Sequence, residues 1–299
     1  AAWILANTDK IKVGTAIMQM PARSPACTAM TAMTLNQLSQ GRFIVGLGAS
    51  GPQVVEGWHG VAYGRPITRT KEYITILRKI MAREGPVEHQ GFHYSMPYQG
   101  EDGTGLGKSL KSILLADTSI PIFTASITPA GLAASAEVAD GVFPIWMNPE
   151  RYDVFEADIS KGLNKAGKTL LDFDIAPFVT CIMGDNVEHC RAPVKASMAL
   201  YIGGMGARGA NFYNDYAKKL GYEDAAVKIQ DLYLAGKKDE AAAAVPDELV
   251  DAVHLVGPKE RIRERLQAWK AAAAKGHVGS MLIGSGQTEA LEFIASEML

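Results

Sequence analysis

The apolar positions of the chain are concentrated in short runs, each bounded by turn-forming residues. The runs are apolar almost throughout instead of alternating with polar residues, which is typical of strands buried on both faces of a parallel sheet. Stretches with helical periodicity separate most of them. The pattern therefore predicts repeated βα units and the α/β fold class. The six predicted strand segments are residues 11–18, 42–49, 120–126, 141–147, 173–183 and 278–283.

Three helices can be placed from the spacing of their apolar residues. Residues 69–81 carry Tyr, Ile, Leu and Met on one face and mostly Lys, Arg and Glu on the other, which predicts an amphipathic helix. Residues 259–274 follow a Gly-Pro pair and align Ile, Leu and Trp in one stripe, so we expect the helix that precedes the last strand. Residues 1–7 are predicted to lie in a helix that leads into the first strand.

Two long stretches interrupt this rhythm. Residues 85–118 are rich in Gly, His, Tyr and Lys without a clear period. Residues 191–252 are predicted to be helical but are longer than one crossover requires, and long insertions often carry function. No low-complexity linker divides the chain. We therefore expect a single domain over residues 1–299, with a long insertion before the last strand.

The number of strand segments limits the type of α/β fold. A closed (β/α)8 barrel needs eight βα units, whereas only six strand segments are found and the sequence begins inside a predicted helix. The chain is then either a barrel that lacks its first β-α-β segment or an open sheet. We favour the incomplete barrel.

Composition excludes several classes of partner. The chain has 299 residues, of which 47% are hydrophobic, so it can build a large core. A formal net charge of -2 with 21% charged residues does not favour nucleic acid or an anionic membrane surface. The three cysteines are widely spaced and no apolar run is long enough for a membrane span. We expect a cytoplasmic protein without disulfide bonds.

Two glycine-rich patterns resemble nucleotide-binding motifs. Gly46, Gly48 and Gly51 satisfy GxGxxG after a strand, but Pro52 follows and no acidic residue ends a second strand about 20 residues later. We interpret this segment as a strand end where small residues let a flat ring approach the backbone. Residues 103–109 end in Gly107, Lys108 and Ser109, like a phosphate loop. The first glycine of that motif would lie five residues before Gly107, where this chain has Asp102, so an ordinary loop is predicted.

Residues 124–131 join a predicted strand to a helix. Helix N-termini bind phosphate because their free N–H groups and the helix dipole both favour an anion, and Ser126 and Thr128 could add hydroxyl donors. An ordinary N-cap explains the same residues equally well. His89 and His93 are four apart, but Gly91 lies between them and no glutamate follows the first, so no metal site is predicted.

Four segments along the chain carry a resemblance to a known family. They are VGTAIMQMPARSPA (13–26), LSQGRFIVGLGASGP (38–52), ITPAGLAASAEVADGVFP (127–144) and HLVGPKERIRERLQAW (254–269). Together they resemble the luciferase-like oxidoreductases, and most of all the branch that uses coenzyme F420, and the similarity covers nearly the whole chain. The resemblance implies an α/β TIM barrel of the bacterial luciferase-like type, with the coenzyme at the carboxyl ends of the strands, and a homodimer.

The resemblance also implies the positions of the coenzyme contacts. A non-prolyl cis peptide is expected near Ala16–Ile17, behind the deazaflavin ring. Leu282 and Ile283 are expected to close the barrel near the ring. The implied cofactor-binding residues are Thr15, Ala16, Ile17, Gly48, Ala49 and Ser50 around the ring, and Ser126, Ile127, Thr128, Pro129, Ala130 and Gly131 at the phosphate.

The catalytic residues are less well defined. Some relatives have a catalytic glutamate where this chain has Gly51, and their acid–base histidine and tryptophan lie in segments that this sequence does not contain. No proton donor is therefore assigned. For the substrate pocket we expect Trp58, His59, Tyr63, Trp146 and Met147, although Trp146 could equally be part of the core.

The function implied is an oxidoreductase that transfers hydride between F420 and a small organic substrate. Two alternatives stay open. One is an FMN-dependent monooxygenase of the same family, and the other is a non-catalytic flavin-binding or structural barrel.

Overall fold

The computed structural model describes all residues from 1 to 299. It contains eleven strands: β1 (Val13–Gly14), β2 (Met18–Gln19), β3 (Phe43–Gly48), β4 (His89–Gln90), β5 (Ser95–Met96), β6 (Ile122–Ala125), β7 (Gly141–Phe143), β8 (Asp174–Ile175), β9 (Phe178–Met183), β10 (Leu255–Gly257) and β11 (Leu282–Gly284).

Thirteen α-helices alternate with these strands. They are α1 (Ala2–Ala6), α2 (Pro25–Leu38), α3 (Pro52–Gly57), α4 (Pro66–Ala82), α5 (Pro129–Val138), α6 (Asp153–Ala166), α7 (Val187–Ala199), α8 (Phe212–Lys219), α9 (Glu223–Leu234), α10 (Lys238–Ala243), α11 (Asp247–Val253), α12 (Lys259–Ala274) and α13 (Thr288–Met298).

The chain divides into two compact units. The first unit comprises residues 1–126, 130–142 and 159–173, and the second comprises residues 127–129, 143–158 and 174–299. The prediction of a single domain over residues 1–299 therefore stays a prediction. No helix of the structure combines the length and the apolar character that a membrane span needs.

The first unit is built around β3. β1 pairs with the beginning of β3 and β2 with its end, both in parallel, while β6 runs parallel on the opposite side of β3 and is followed by β7. Phe43, Val45 and Leu47 on β3 are fully buried. They pack in one core with α2 and with the apolar face of α4. β3 is therefore the centre of the sheet and positions both of its neighbours.

Helix α4 confirms the amphipathic helix predicted over residues 69–81. The apolar face expected from the sequence is buried, including Tyr73, Leu77 and Met81. The Tyr73 hydroxyl lies 2.6 Å from the Thr28 hydroxyl of α2, so the buried phenol has a hydrogen-bond partner. The helix joins α2 to the core through this contact.

Glu72 on α4 holds a short antiparallel hairpin formed by β4 and β5. Its two carboxylate oxygens accept the backbone N–H groups of Phe92 at 2.7 Å, His93 at 2.9 Å and Tyr94 at 3.1 Å. Burial works to raise the pKa of Glu72, but these N–H donors hold it below its usual range. The carboxylate thus replaces the sheet neighbours that a two-stranded hairpin lacks.

The second unit has a parallel three-stranded arrangement in which β9 lies between β10 and β11. The predicted helical insertion is confirmed as the run α7 to α11. Arg191 on α7 is largely buried and donates to Asp247 at 2.9 Å and to Asp251 at 2.5 Å, both on α11. These charge-assisted bonds connect the first and last helices of the insertion.

Most predicted elements are confirmed, and three short strands were missed. Helix α12 has the bounds expected from the sequence, and each of the six predicted strand segments overlaps at least one strand. β4 and β5 lie within residues 85–118, where no regular element was predicted, and β10 was not predicted as a strand. All three missed strands have only two or three residues, too few for an apolar pattern to show.

A substitution at Gly162 tests the packing of α6 on α5. A Cβ at Gly162 would overlap the carbonyl oxygen of Ala133, whereas a Cβ at helical Gly57 would meet no atom within 4 Å. We expect Gly162→Ala to lower the free energy of unfolding by about 1–3 kcal/mol through overpacking. Gly57→Ala is the control and should be neutral or slightly stabilising, as measured by urea denaturation. Equal stability of the two variants would contradict the close contact.

A substitution at Glu72 tests the carboxylate that holds the hairpin. Because the pKa of Glu72 is lowered on folding, its contribution is present above the unfolded-state pKa and is lost as the pH falls through the folded-state value. Glu72→Gln should cost about 1.5–3 kcal/mol of unfolding free energy at pH 7. Below about pH 4.3, the ordinary pKa of glutamate, this variant should lose less unfolding free energy than wild type. The exposed Glu101→Gln variant is the control and should keep the wild-type pH dependence in chemical denaturation.

Candidate functional site

The carboxyl ends of β3 and β6 meet at one edge of the sheet in the first unit. The two strands are parallel and in register, with Leu47 opposite Thr124. Only small residues follow at this edge: Gly48, Ala49 and Ser50 on one strand and Ala125 and Ser126 on the other. In parallel α/β proteins, ligands bind at the carboxyl ends of the strands. This edge is the candidate site, and we call it the carboxyl edge.

Ser50 has a backbone conformation that is uncommon for its residue type. Its φ is +63°, in the left-handed region. Such conformations in residues other than glycine cluster at ligand sites, where the surrounding structure enforces them. The chain therefore turns sharply as β3 ends and enters α3 through Gly51 and Pro52.

Thr15 connects the segment between β1 and β2 to β3. Its hydroxyl donates to the carbonyl oxygen of Gly46 at 2.9 Å and accepts the N–H of Gly46 at 2.9 Å. Gly46 is buried, so both backbone groups need protein partners. The Thr15 side chain thus continues the pairing of β3 where the neighbouring backbone leaves the sheet.

Ile17 lies directly over Gly48. The Ala16–Ile17 peptide is cis, as the resemblance implied. A Cβ at Gly48 would overlap Cδ1 of Ile17, so the absence of a side chain at Gly48 makes room for the isoleucine. The structure therefore brings together Thr15, Ile17 and Gly48, three of the residues predicted around the ring.

His59 lies at the same edge, held by Gln19 of β2. The Nε2 atom of His59 is 2.6 Å from Oε1 of Gln19. Gln19 is opposite Gly48 in the register of β2 and β3. The sequence predicted His59 but missed Gln19, whose only signal is its position two residues after Ile17, at the end of β2.

The other pocket residues predicted after β3 differ in exposure. Trp58 is 83% exposed to solvent, whereas Tyr63 is half-buried. Burial raises the pKa of Tyr63, with the positive charge of Arg69 acting against it. The phenol of Tyr63 therefore stays neutral at physiological pH.

The predicted phosphate segment follows β6. Within the first unit, the Ser135 hydroxyl of α5 donates to the carbonyl oxygen of Gly131 at 2.8 Å and accepts from Thr124 Oγ1 at 2.5 Å. These bonds fix the first turn of α5 against β6. Ser126, Ala130 and Gly131 belong to the first unit, whereas residues 127–129 belong to the second. The phosphate role of Ser126, Ile127, Thr128, Pro129, Ala130 and Gly131 stays a prediction.

Trp146 and Met147 are both buried in the second unit. The Trp146 ring lies among three tyrosines, with ring centroids 6.1 Å from Tyr201, 5.9 Å from Tyr213 and 6.5 Å from Tyr216. The Tyr216 hydroxyl donates to the Trp146 carbonyl at 3.1 Å, where the tryptophan φ is +49°. The tyrosines come from the long insertion, so sequence spacing could not connect them to Trp146.

A cavity of about 560 Å³ in the second unit contains none of the predicted site residues. Four of its charged side chains form ion pairs, Arg265 with Glu150 and Arg261 with Asp251, each at 2.6 Å. Burial lowers the pKa of His254, which also lines the cavity, to about 4, so its ring is neutral. The carboxyl edge is therefore the better candidate on chemical grounds.

A parallel α/β chain with a carboxyl edge of small residues belongs to the class of proteins that bind ligands at strand ends. Residues 1–276 match the sequence profile of the luciferase-like monooxygenase family, and the chain belongs to this family. The chain is 40% identical over 300 residues to "Putative coenzyme F420-dependent oxidoreductase Rv3520c" of Mycobacterium tuberculosis, with 99% of this chain and 85% of that protein covered.

Two solved structures show the same fold. The coenzyme F420-dependent tetrahydromethanopterin reductase of Methanopyrus kandleri has a TM-score of 0.76 at 21% identity, covering 99% of this chain and 84% of that chain. An F420-dependent secondary alcohol dehydrogenase in complex with an F420–acetone adduct has a TM-score of 0.69 at 17% identity, covering 98% and 80%. The predicted luciferase-like TIM-barrel class and the prediction of an oxidoreductase are confirmed. The absence of a first β-α-β segment stays a prediction.

The contact between Ile17 and Gly48 can be tested with a double-mutant cycle. Gly48→Ala should lower the free energy of unfolding by about 1–3 kcal/mol, because the new methyl group collides with Cδ1 of Ile17. Ile17→Val removes Cδ1, and the double variant should recover most of the loss. The three variants are compared by urea denaturation. Additive effects of the two substitutions would contradict the contact.

Proposed function

We propose that the chain is an F420-dependent oxidoreductase that transfers hydride between the deazaflavin and a small organic substrate. The observation that carries the proposal is the carboxyl edge, where small residues end β3 and β6 and Ile17 packs over Gly48. The similarity to a protein named as F420-dependent over 99% of this chain supports the choice of coenzyme.

The residues of the edge fit a planar tricyclic ring. Ile17 fills the space above Gly48 and supplies an apolar surface, and Ala49 next to it carries only a methyl group. Ser50 and Ser126 offer hydroxyl donors at the ends of the two strands. We assign the ring to Thr15, Ala16, Ile17, Gly48, Ala49 and Ser50. The phosphate is assigned to Ser126 and the following residues to Gly131.

The coenzyme, when bound, supplies a carbon that accepts or donates hydride. Ile17 and the end of β3 would hold the ring. By fixing the orientation of the substrate relative to the ring, the protein would lower the entropic cost of the reaction. We further propose that the enzyme acts as a cytoplasmic homodimer on a small-molecule substrate.

Binding experiments test the choice of coenzyme and the phosphate site together. The probes are F420, its phosphate-free ring with the ribityl chain, and FMN, each followed by fluorescence. We expect wild-type protein to bind F420 at least about tenfold more tightly than FMN. Ser126→Ala should weaken F420 binding about five- to tenfold, the value of one hydrogen bond, and leave binding of the phosphate-free ring unchanged.

The control for this experiment is Ser296→Ala on α13, which should bind all three probes like wild type. Tighter binding of FMN than of F420 would support the alternative of an FMN-dependent monooxygenase. Absence of binding of every probe would support a structural barrel. Equal loss of affinity for F420 and for the phosphate-free ring would contradict the role of Ser126.

A further inference from the structure

The hydrogen bond between His59 and Gln19 fixes the orientation of the histidine ring. Oε1 of Gln19 can only accept, so the proton of the 2.6 Å bond belongs to Nε2 of His59. In the neutral ring, Nδ1 then carries the lone pair. Nδ1 forms no hydrogen bond within the protein, and the His59 side chain is partly exposed to solvent.

The ring is placed at the carboxyl edge by its partner. Gln19 is opposite Gly48, and Ile17, two residues earlier, covers Gly48. His59 follows α3, which begins directly after Ser50 and Gly51. The imidazole therefore lies beside the backbone to which the coenzyme ring is assigned.

No other side chain at this edge is equally suited to move a proton. The Thr15 hydroxyl already donates to the Gly46 carbonyl oxygen and accepts the Gly46 N–H. Tyr63 stays neutral because burial raises its pKa, and the exposed Glu56 carboxylate accepts the N–H of Tyr63 at 3.1 Å. His59 forms no ion pair, and its hydrogen bond within the protein is the one to Gln19. Histidine is also the side chain that most readily changes protonation near neutral pH.

We propose that His59 is the proton donor and acceptor of the hydride-transfer reaction and that Gln19 is its positioning residue. The inference rests on the proposed function. In the direction of reduction, hydride from the reduced deazaflavin adds to the carbon of a C=O or C=N group. The π-electron pair moves to the heteroatom, which takes the proton from Nδ1 of the imidazolium. His59 is left neutral with Nε2–H still bonded to Gln19, and oxidation of the corresponding alcohol or amine reverses every transfer.

The test compares variants at His59 under reduction by F420H2. Acetone and 2-methyl-1-pyrroline serve as the ketone and imine probes, and the one that wild type reduces faster is used. We expect His59→Ala to lower kcat by about 10²- to 10⁴-fold, the usual contribution of general acid–base catalysis. Its affinity for F420, followed by fluorescence, should change less than about threefold, within the scatter expected for groups that do not bind the ligand. Added imidazole should restore part of kcat.

The control is His189→Ala, an exposed histidine on α7, which should keep the wild-type kcat. Retained kcat in His59→Ala, or failure of imidazole to restore it, would overturn the role of His59 and leave the proposed function intact. If the wild-type protein binds F420 but reduces neither probe, the inference is also overturned. Failure of wild type to bind F420 would overturn the proposed function itself.

The positioning role of Gln19 has a readout that needs no coenzyme. In the free protein, ¹⁵N NMR should show neutral His59 with its proton on Nε2. Gln19→Leu should give a mixture of both tautomers and a lower kcat at unchanged F420 affinity. Gln19→Glu keeps an acceptor and should retain the Nε2–H form. A wild-type ring protonated on Nδ1 would overturn the assignment.

Discussion

The carboxyl edge depends on how the backbone of Gly46 is satisfied. β3 is buried at the centre of its sheet, yet the chain beside it leaves the ladder between β1 and β2. A buried N–H or C=O group without a partner would lose about 2–7 kcal/mol of solvation free energy in apolar surroundings. The Thr15 hydroxyl binds both groups, so the interruption is tolerated. This bond allows Ile17 to turn over Gly48 without destabilising the sheet.

The order of strands and helices could be predicted because buried parallel strands leave a continuous apolar signal. The run 42–49 became β3, and the amphipathic pattern over residues 69–81 became the buried face of α4. The hairpin of β4 and β5 gave no such signal, because its two-residue strands contain polar residues and its stability comes from Glu72, some 20 residues earlier. Long-range hydrogen bonds of this kind leave no periodic trace.

The site was predictable only in part for a related reason. Small residues at the end of β3 indicated close approach of a ligand, and the structure brings Thr15 and Ile17 to the same place. The partner of His59 could not be predicted, because Gln19 precedes it by 40 residues and becomes its neighbour only through the pairing of β2 with β3. The tyrosines around Trp146 come from an insertion whose helices have no fixed relation to the strand pattern.

The Glu72 carboxylate also has a consequence for redesign of the surface. The hairpin is anchored at its turn, and the N–H of Val87 binds the carbonyl oxygen of Leu110 at 2.8 Å, so the ends of the stretch between Met96 and Leu110 are held together. The entropy of closing a loop grows only with the logarithm of its length. A foreign peptide, such as an affinity tag or a reporter epitope, can therefore be spliced into this stretch, far along the chain from Thr15 and Gly48, at small thermodynamic expense.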